Sequence, residues 1–150
     1  MAKVILIDPL GWQGAGSGYR PSPNIGIAYL VPMLRNHGHE VSVIDLNNQT
    51  MTDFQVLEAI EEFNPDIVGF STKTATIKSV RNLAQKVKNL SPRVHVIIGG
   101  PHATIASSEL VAELWFDVIF MGEGEHVLPS ICNRFSVNEP FDDLPGVITK

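Results

Sequence analysis

Short strand-like runs alternate with amphipathic stretches along almost the whole chain, and this alternation restricts the fold more than any other feature. The runs are Val4–Ile7, Glu40–Asp45, Asp66–Ser71, Val94–Ile98 and Asp117–Met121. They are short and rich in Val and Ile, which suits strands buried in a sheet. Between them, apolar residues recur at helical spacing, as in Ile27, Leu30, Val31 and Leu34, or Ile77, Val80, Leu83, Ala84 and Val87. The spacing predicts helices over 25–36 behind an Asn24 cap, over 53–63 behind an Asp53 cap, over 76–90, over about 107–114, and up to Phe135. Pro32 is expected to kink the first of these, and Gly38 to stop it. Strands alternating with helices demand a parallel sheet with right-handed crossovers. The predicted fold is therefore α/β, a flavodoxin-like (Rossmann-like) three-layer sandwich. Its five-stranded parallel sheet is expected in the order 2-1-3-4-5. Residues 1–137 are expected to form this domain. Residues 138–150 read as a linker stub, with a short apolar stretch at Gly146–Thr149 that suits a final edge strand.

Composition narrows the function classes. A chain of 150 residues is long enough to own a full core. Its net charge of −5 argues against nucleic acid or an anionic membrane as partner. Its one cysteine, Cys132, cannot make an internal disulfide, an iron–sulfur site or a Cys-rich zinc site. A lone thiol suits a reducing cytoplasm, the expected location. No run approaches the roughly 18 apolar residues of a membrane span. Val4–Ile7 is too short for a signal peptide.

In such sheets, ligands bind outside the carboxyl ends of the strands. The loops at that edge are the candidate site. The first holds Gly11, Gly14, Gly16 and Gly18, whose backbone suits a phosphate but also a plain surface loop. The third holds Ser71, Thr72, Thr74 and Thr76, which suit a polar ligand tail; N-capping by Thr74 or Thr76 explains them equally well. Lys73 beside them suits an anion or plain solvent. The fourth is Gly99-Gly100-Pro101-His102. A tight turn explains one of its glycines more easily than two, so the pair suggests a slot where a bulky group lies against backbone. His102 reads as a turn residue or a donor to ligand. The fifth, Gly122-Glu123-Gly124-Glu125, places acids in a first helical turn, where the helix dipole favours them. No catalytic triad, metal-ligand spacing or phosphate-loop motif is present. A response-regulator reading fails, because Ser71 and Gly122 stand where that chemistry needs Asp and Lys.

Several segments together carry a resemblance: Lys3–Asp8, Pro23–Leu30, Leu34–Val41, Pro65–Ser71, Gly99–Thr104 and Gly122–Glu125. In this order they resemble the N-terminal cobalamin-binding domain of cobalamin-dependent radical SAM proteins. That family includes methyltransferases and the anaerobic magnesium-protoporphyrin monomethyl ester cyclase. The resemblance implies cobalamin at the carboxyl strand edge, its nucleotide tail entering beside Ser71 and Gly99-Gly100. It makes Asp8, Leu10, Gly11, Ser71, Thr72, Lys73, Thr74, Thr76, Gly99, Gly100, Pro101, His102, Gly122, Glu123 and Gly124 the candidate cofactor-binding residues. A branched residue at Gly100 is expected to fill the slot with little effect on folding.

One family motif is broken. Aligned on Asp8, the Asp-x-His-x-x-Gly motif has Leu10 in the histidine place and Gln13 in the glycine place. No histidine is therefore expected to ligate cobalt: His37, His39 and His95 fall at the opposite strand edge, His126 in the last helix, and His102 after the wrong strand. A radical SAM cluster needs three cysteines, so the cluster and S-adenosylmethionine are expected on a C-terminal radical SAM domain of the same protein. This chain alone is expected to be non-catalytic. Two alternatives stay open: a cobalamin-free docking or substrate-contacting scaffold of the same fold, and an FMN or nucleotide binder using Gly14, Gly16 and Gly18.

Overall fold

The computed structural model describes residues 1–11, 22–125 and 127–150. Strand β1 (Lys3–Asp8) leads to helix α1 (Ile25–Asn36), then β2 (Glu40–Asp45), α2 (Asp53–Phe63), β3 (Ile67–Ser71) and α3 (Ile77–Leu90). There follow β4 (His95–Gly99), two short helices α4 (Pro101–Ile105) and α5 (Ser107–Leu110), β5 (Val118–Phe120), α6 (Val127–Ser136) and β6 (Val147–Thr149). Asn24 caps α1 as expected, its side chain accepting from the Ile27 N–H at 3.2 Å.

The strands lie in the order β2-β1-β3-β4-β5-β6. Pairs from β2 to β5 are parallel, and β6 runs antiparallel to β5. The expected five strands are thus six. The extra one arises because Gly146, at φ 75°, turns the chain back beside β5 and accepts from the Met121 N–H at 2.8 Å. A Cβ on Gly146 would sit 2.6 Å from the Met121 carbonyl oxygen, so only glycine makes this turn. Phe141, Leu144 and Val147 pack against the core and hold the segment down.

Successive residues of a strand face opposite sides, so each strand serves two cores. Val4, Leu6, Ile67, Ile97 and Val118 pack under α1 and α6 with Ile27, Leu34, Leu128 and Ile131. Ile5, Ile7, Val68, Phe70, Val96, Ile98 and Ile119 pack under α2, α3 and α5 with Val56, Ile60, Val80, Leu83 and Leu110. The result is the expected three layers.

Two local expectations are corrected. Helix α2 is capped by Thr52, not Asp53; Thr52 and Gln55 form a reciprocal capping box. The helix expected over 107–114 starts at Ser107 but ends at Leu110 as α5, and it is preceded by the unexpected α4, where Pro101 fits a first-turn position. His102 is therefore helical rather than a turn residue. Among the described residues, no helix is long and apolar enough to cross a membrane.

Candidate functional site

The site follows from strand periodicity and side-chain size. On the face covered by α1 and α6, β3 and β4 end in Gly69, Ser71 and Gly99. The two glycines reach nothing above them, and Ser71 reaches only Asn24, the cap of α1. A cavity of about 740 Å³ remains between sheet and helices at the carboxyl strand edge. Leu6, Gly69, Ile97 and Gly99 lie on its sheet side, and Ile27, Leu30, Phe120 and Leu128 wall it. A Cβ at Gly69 would come within 2.9 Å of the Leu6 Cδ2, whereas one at Gly99 would meet only Phe120, at an ordinary 3.7 Å.

The two glycines of the fourth loop do different work. Gly100 has φ 96°, and a Cβ there would lie 2.8 Å and 2.9 Å from the Thr72 oxygen and nitrogen. It is needed for the backbone path itself. This corrects the expectation that a branched residue at Gly100 leaves folding intact. Gly99 needs no special φ, and its missing side chain leaves space in the cavity.

A network of amides organises the rim. Asp8 is buried, and both its oxygens are taken: Oδ1 accepts from Asn24 Nδ2 at 2.7 Å, and Oδ2 from Asn47 Nδ2 at 2.8 Å. Asn24 Nδ2 also donates to Ser71 Oγ at 3.0 Å. Asn47 Oδ1 accepts from the Gly11 N–H at 2.8 Å. One carboxylate thus ties the ends of β1 and β3 to the start of α1 and to the residues after β2.

Of the candidate residues, Asp8, Ser71, Lys73, Gly99, Gly100 and Pro101 line the cavity. So do Gly122, Glu123 and Gly124. Leu10 and Gly11 lie outside its lining, Leu10 being exposed. Three of the hydroxyls are used elsewhere. Buried Thr72 donates to the Gly99 carbonyl at 2.7 Å and accepts from the Ala103 N–H at 3.2 Å, bracing the double glycine. Thr76 accepts from the Lys73 N–H at 3.0 Å. Thr74 pairs with His102 Nδ1 at 3.1 Å, outside the cavity lining. Gly14, Gly16, Gly18 and His126 lie outside the described residues.

The sequence reading missed Gly69, Asn24 as a rim residue, Asn47, and the wall residues Ile97 and Phe120. A glycine in the middle of a buried strand was a usable signal for the first. Asn47 carries none, since its partner Asp8 is distant in sequence. Cys132 is no nucleophile: burial, with Asp66 nearby, pushes its thiol up to about 12. The described residues hold no cluster able to bind a metal ion.

The family model of the B12 binding domain matches residues 15–131. The chain belongs to this family. B12 binding domains similar to this one occur in longer proteins. An uncharacterized methyltransferase from Pyrococcus horikoshii is 30% identical over 85% of this chain but only 28% of its own length. The anaerobic magnesium-protoporphyrin IX monomethyl ester cyclase of Rubrivivax gelatinosus is 30% identical over 84% of this chain and 23% of its own. The chain thus spans about a quarter of these curated relatives. In fold it is similar to the radical S-adenosylmethionine methyltransferase TsrM from Kitasatospora setae, solved with cobalamin and a [4Fe-4S] cluster bound. There the TM-score is 0.82 at 20% identity, over 99% of this chain and 27% of that one.

Proposed function

We propose that this chain is the cobalamin-binding module of a radical SAM enzyme of the methyltransferase or anaerobic magnesium-protoporphyrin monomethyl ester cyclase type. It holds cobalamin at the carboxyl strand edge and presents it to a C-terminal radical SAM domain of the same protein. The observation that carries this reading is the cavity made by Gly69, Ser71 and Gly99 on one face of a sheet whose other face is filled.

The residues present fit the group. The nucleotide tail of cobalamin is long and flat-ended, and the slot offers glycine backbone, an apolar wall and the hydroxyl of Ser71 at the strand end. Gly69 and Gly99 leave the room, Ser71 supplies a polar contact, and Ile97, Phe120 and Leu128 exclude water. Lys73 and Glu123 stand at the lining as charged groups for the polar periphery of the cofactor. When bound, cobalamin supplies a cobalt centre able to carry a methyl group. Cobalt carries no protein imidazole in this reading, because Leu10 stands in the histidine place of the family motif. The iron–sulfur cluster and S-adenosylmethionine belong to the other domain, since one buried cysteine cannot hold a cluster.

Titration with hydroxocobalamin tests the reading. A saturable spectral change at one equivalent is expected, with no quenching of added FMN. Quenching of FMN without a cobalamin response would replace cobalamin by a flavin. Electron paramagnetic resonance of the Co(II) form in nitrogen-15-labelled protein tests the ligand: the superhyperfine splitting should not change on labelling.

A further inference from the structure

Asn24 makes more hydrogen bonds than a helix cap needs. Its Oδ1 accepts from the Ile27 N–H, which is the capping bond. Its Nδ2 carries two hydrogens, and both are used: one on Asp8 Oδ1 at 2.7 Å, one on Ser71 Oγ at 3.0 Å. The orientation of the amide is not free. A carboxylate only accepts, so Asn24 must turn nitrogen, not oxygen, toward Asp8. Asn47 takes the other carboxylate oxygen and holds Asp8 in place.

The consequence falls on Ser71. Its oxygen is an acceptor from Asn24, so its own proton must go elsewhere. No described residue accepts that proton, and Ser71 lines the cavity. We propose that Asn24 is a positioning residue that fixes the Ser71 hydroxyl as a hydrogen-bond donor into the cavity. Asn24 thereby sets the direction of the bond that Ser71 gives to an acceptor on the ligand tail. This rests on the cavity being a cobalamin site. It assigns to an amide contributed by the helix start the control of a hydroxyl on a strand 47 positions away.

The test compares hydroxocobalamin with cobinamide, which lacks the nucleotide tail. Asn24→Ser keeps a capping oxygen but removes the amide and with it both Nδ2 donors, its shorter hydroxyl being engaged at the cap. Ser71→Ala removes the hydroxyl. Each single variant should weaken hydroxocobalamin by about 3- to 10-fold, the worth of one hydrogen bond. The double variant should be no weaker than Ser71→Ala, because Asn24 acts through Ser71. Cobinamide affinity should be unchanged in all three. Additive losses, an equal loss for cobinamide, or full affinity in Asn24→Ser would each overturn the inference while leaving the cobalamin reading standing. No response of the wild-type chain to hydroxocobalamin would remove that reading and the inference with it. If Asn24→Ser fails to fold, Asn24→Gly, a tolerated cap residue with no side-chain donor, takes its place with the same expected values.

Discussion

The two faces of β3 and β4 come from the same residues taken alternately, yet they are built for opposite ends. Toward α2 and α3 the strands present Val68, Phe70, Val96 and Ile98, all buried and filling the space between layers. Toward α1 and α6 they present Ile67, His95 and Ile97 first, then Gly69, Ser71 and Gly99. One face is a closed core; the other begins as a core and ends as a slot. The difference teaches that a ligand site in a parallel sheet is made by withholding volume at a few alternate positions. The backbone and the register of the strands stay regular.

The sharpest way to break this comparison is to exchange volume on neighbouring residues of β4. Ile98→Ala opens a hole in the closed face and should cost about 2–5 kcal/mol of stability, read by urea unfolding. Its hydroxocobalamin affinity should stay near that of the parent. Loss of binding without loss of stability would mean the faces are not separate. Next in size is Gly100→Ala. Positive φ and the Thr72 backbone oppose any Cβ there, so stability should fall by about 1–3 kcal/mol even without ligand. A neutral result would show that the loop adapts.

Gly99→Leu sharpens the comparison from the other side. A Cβ there meets only Phe120, at an ordinary distance, and the rest of the side chain has the cavity to enter, so stability should change by less than about 1 kcal/mol. Hydroxocobalamin affinity should drop by about 10-fold or more, the cost of overpacking the slot. Unaltered affinity would locate the ligand elsewhere.

The smallest expected effect lies at the opposite, amino edge of the sheet. There the Lys3 N–H donates to Asp66 at 2.8 Å and the Val96 N–H to Asp117 at 2.7 Å. His39 is buried at this edge, its Nδ1 accepting from the Ala2 N–H at 3.1 Å. Burial holds its imidazole below its ordinary 6.5, helped by the amino terminus and His37. The Asn133 side chain pulls the other way, though His39 Nε2 itself completes no hydrogen bond. Between the lowered folded value and 6.5, the unfolded chain binds the extra proton. Stability from this group is therefore complete above pH 6.5 and declines as pH falls below it. His39→Gln, which retains an acceptor for Ala2, should flatten that part of the urea-midpoint profile. An unchanged slope would assign the acid sensitivity to other groups.

Much of this architecture is written in local pattern. Alternation of period-2 and period-3.6 hydrophobicity is decided by each segment alone, so β1 to β5, α1 to α3 and the parallel order were legible. The Asn24 cap was legible for the same reason, because its capping partner is three residues away. The edge strand β6 was only hinted at: three residues carry too little pattern, and the strand exists because β5 offers an open edge and Gly146 turns toward it. The candidate site divides in the same way. Composition and order pointed to Ser71 and to the double glycine, but nothing in the sequence says that Gly100 serves the backbone and Gly99 the cavity. Nor does it say that Thr72 and Thr76 spend their hydroxyls on neighbouring backbone while Ser71 keeps its proton free. Those roles depend on which groups meet across separations of 16, 27, 39 and 47 residues. Hydrogen bonds act over about 3 Å. Only the folded chain brings such partners that close.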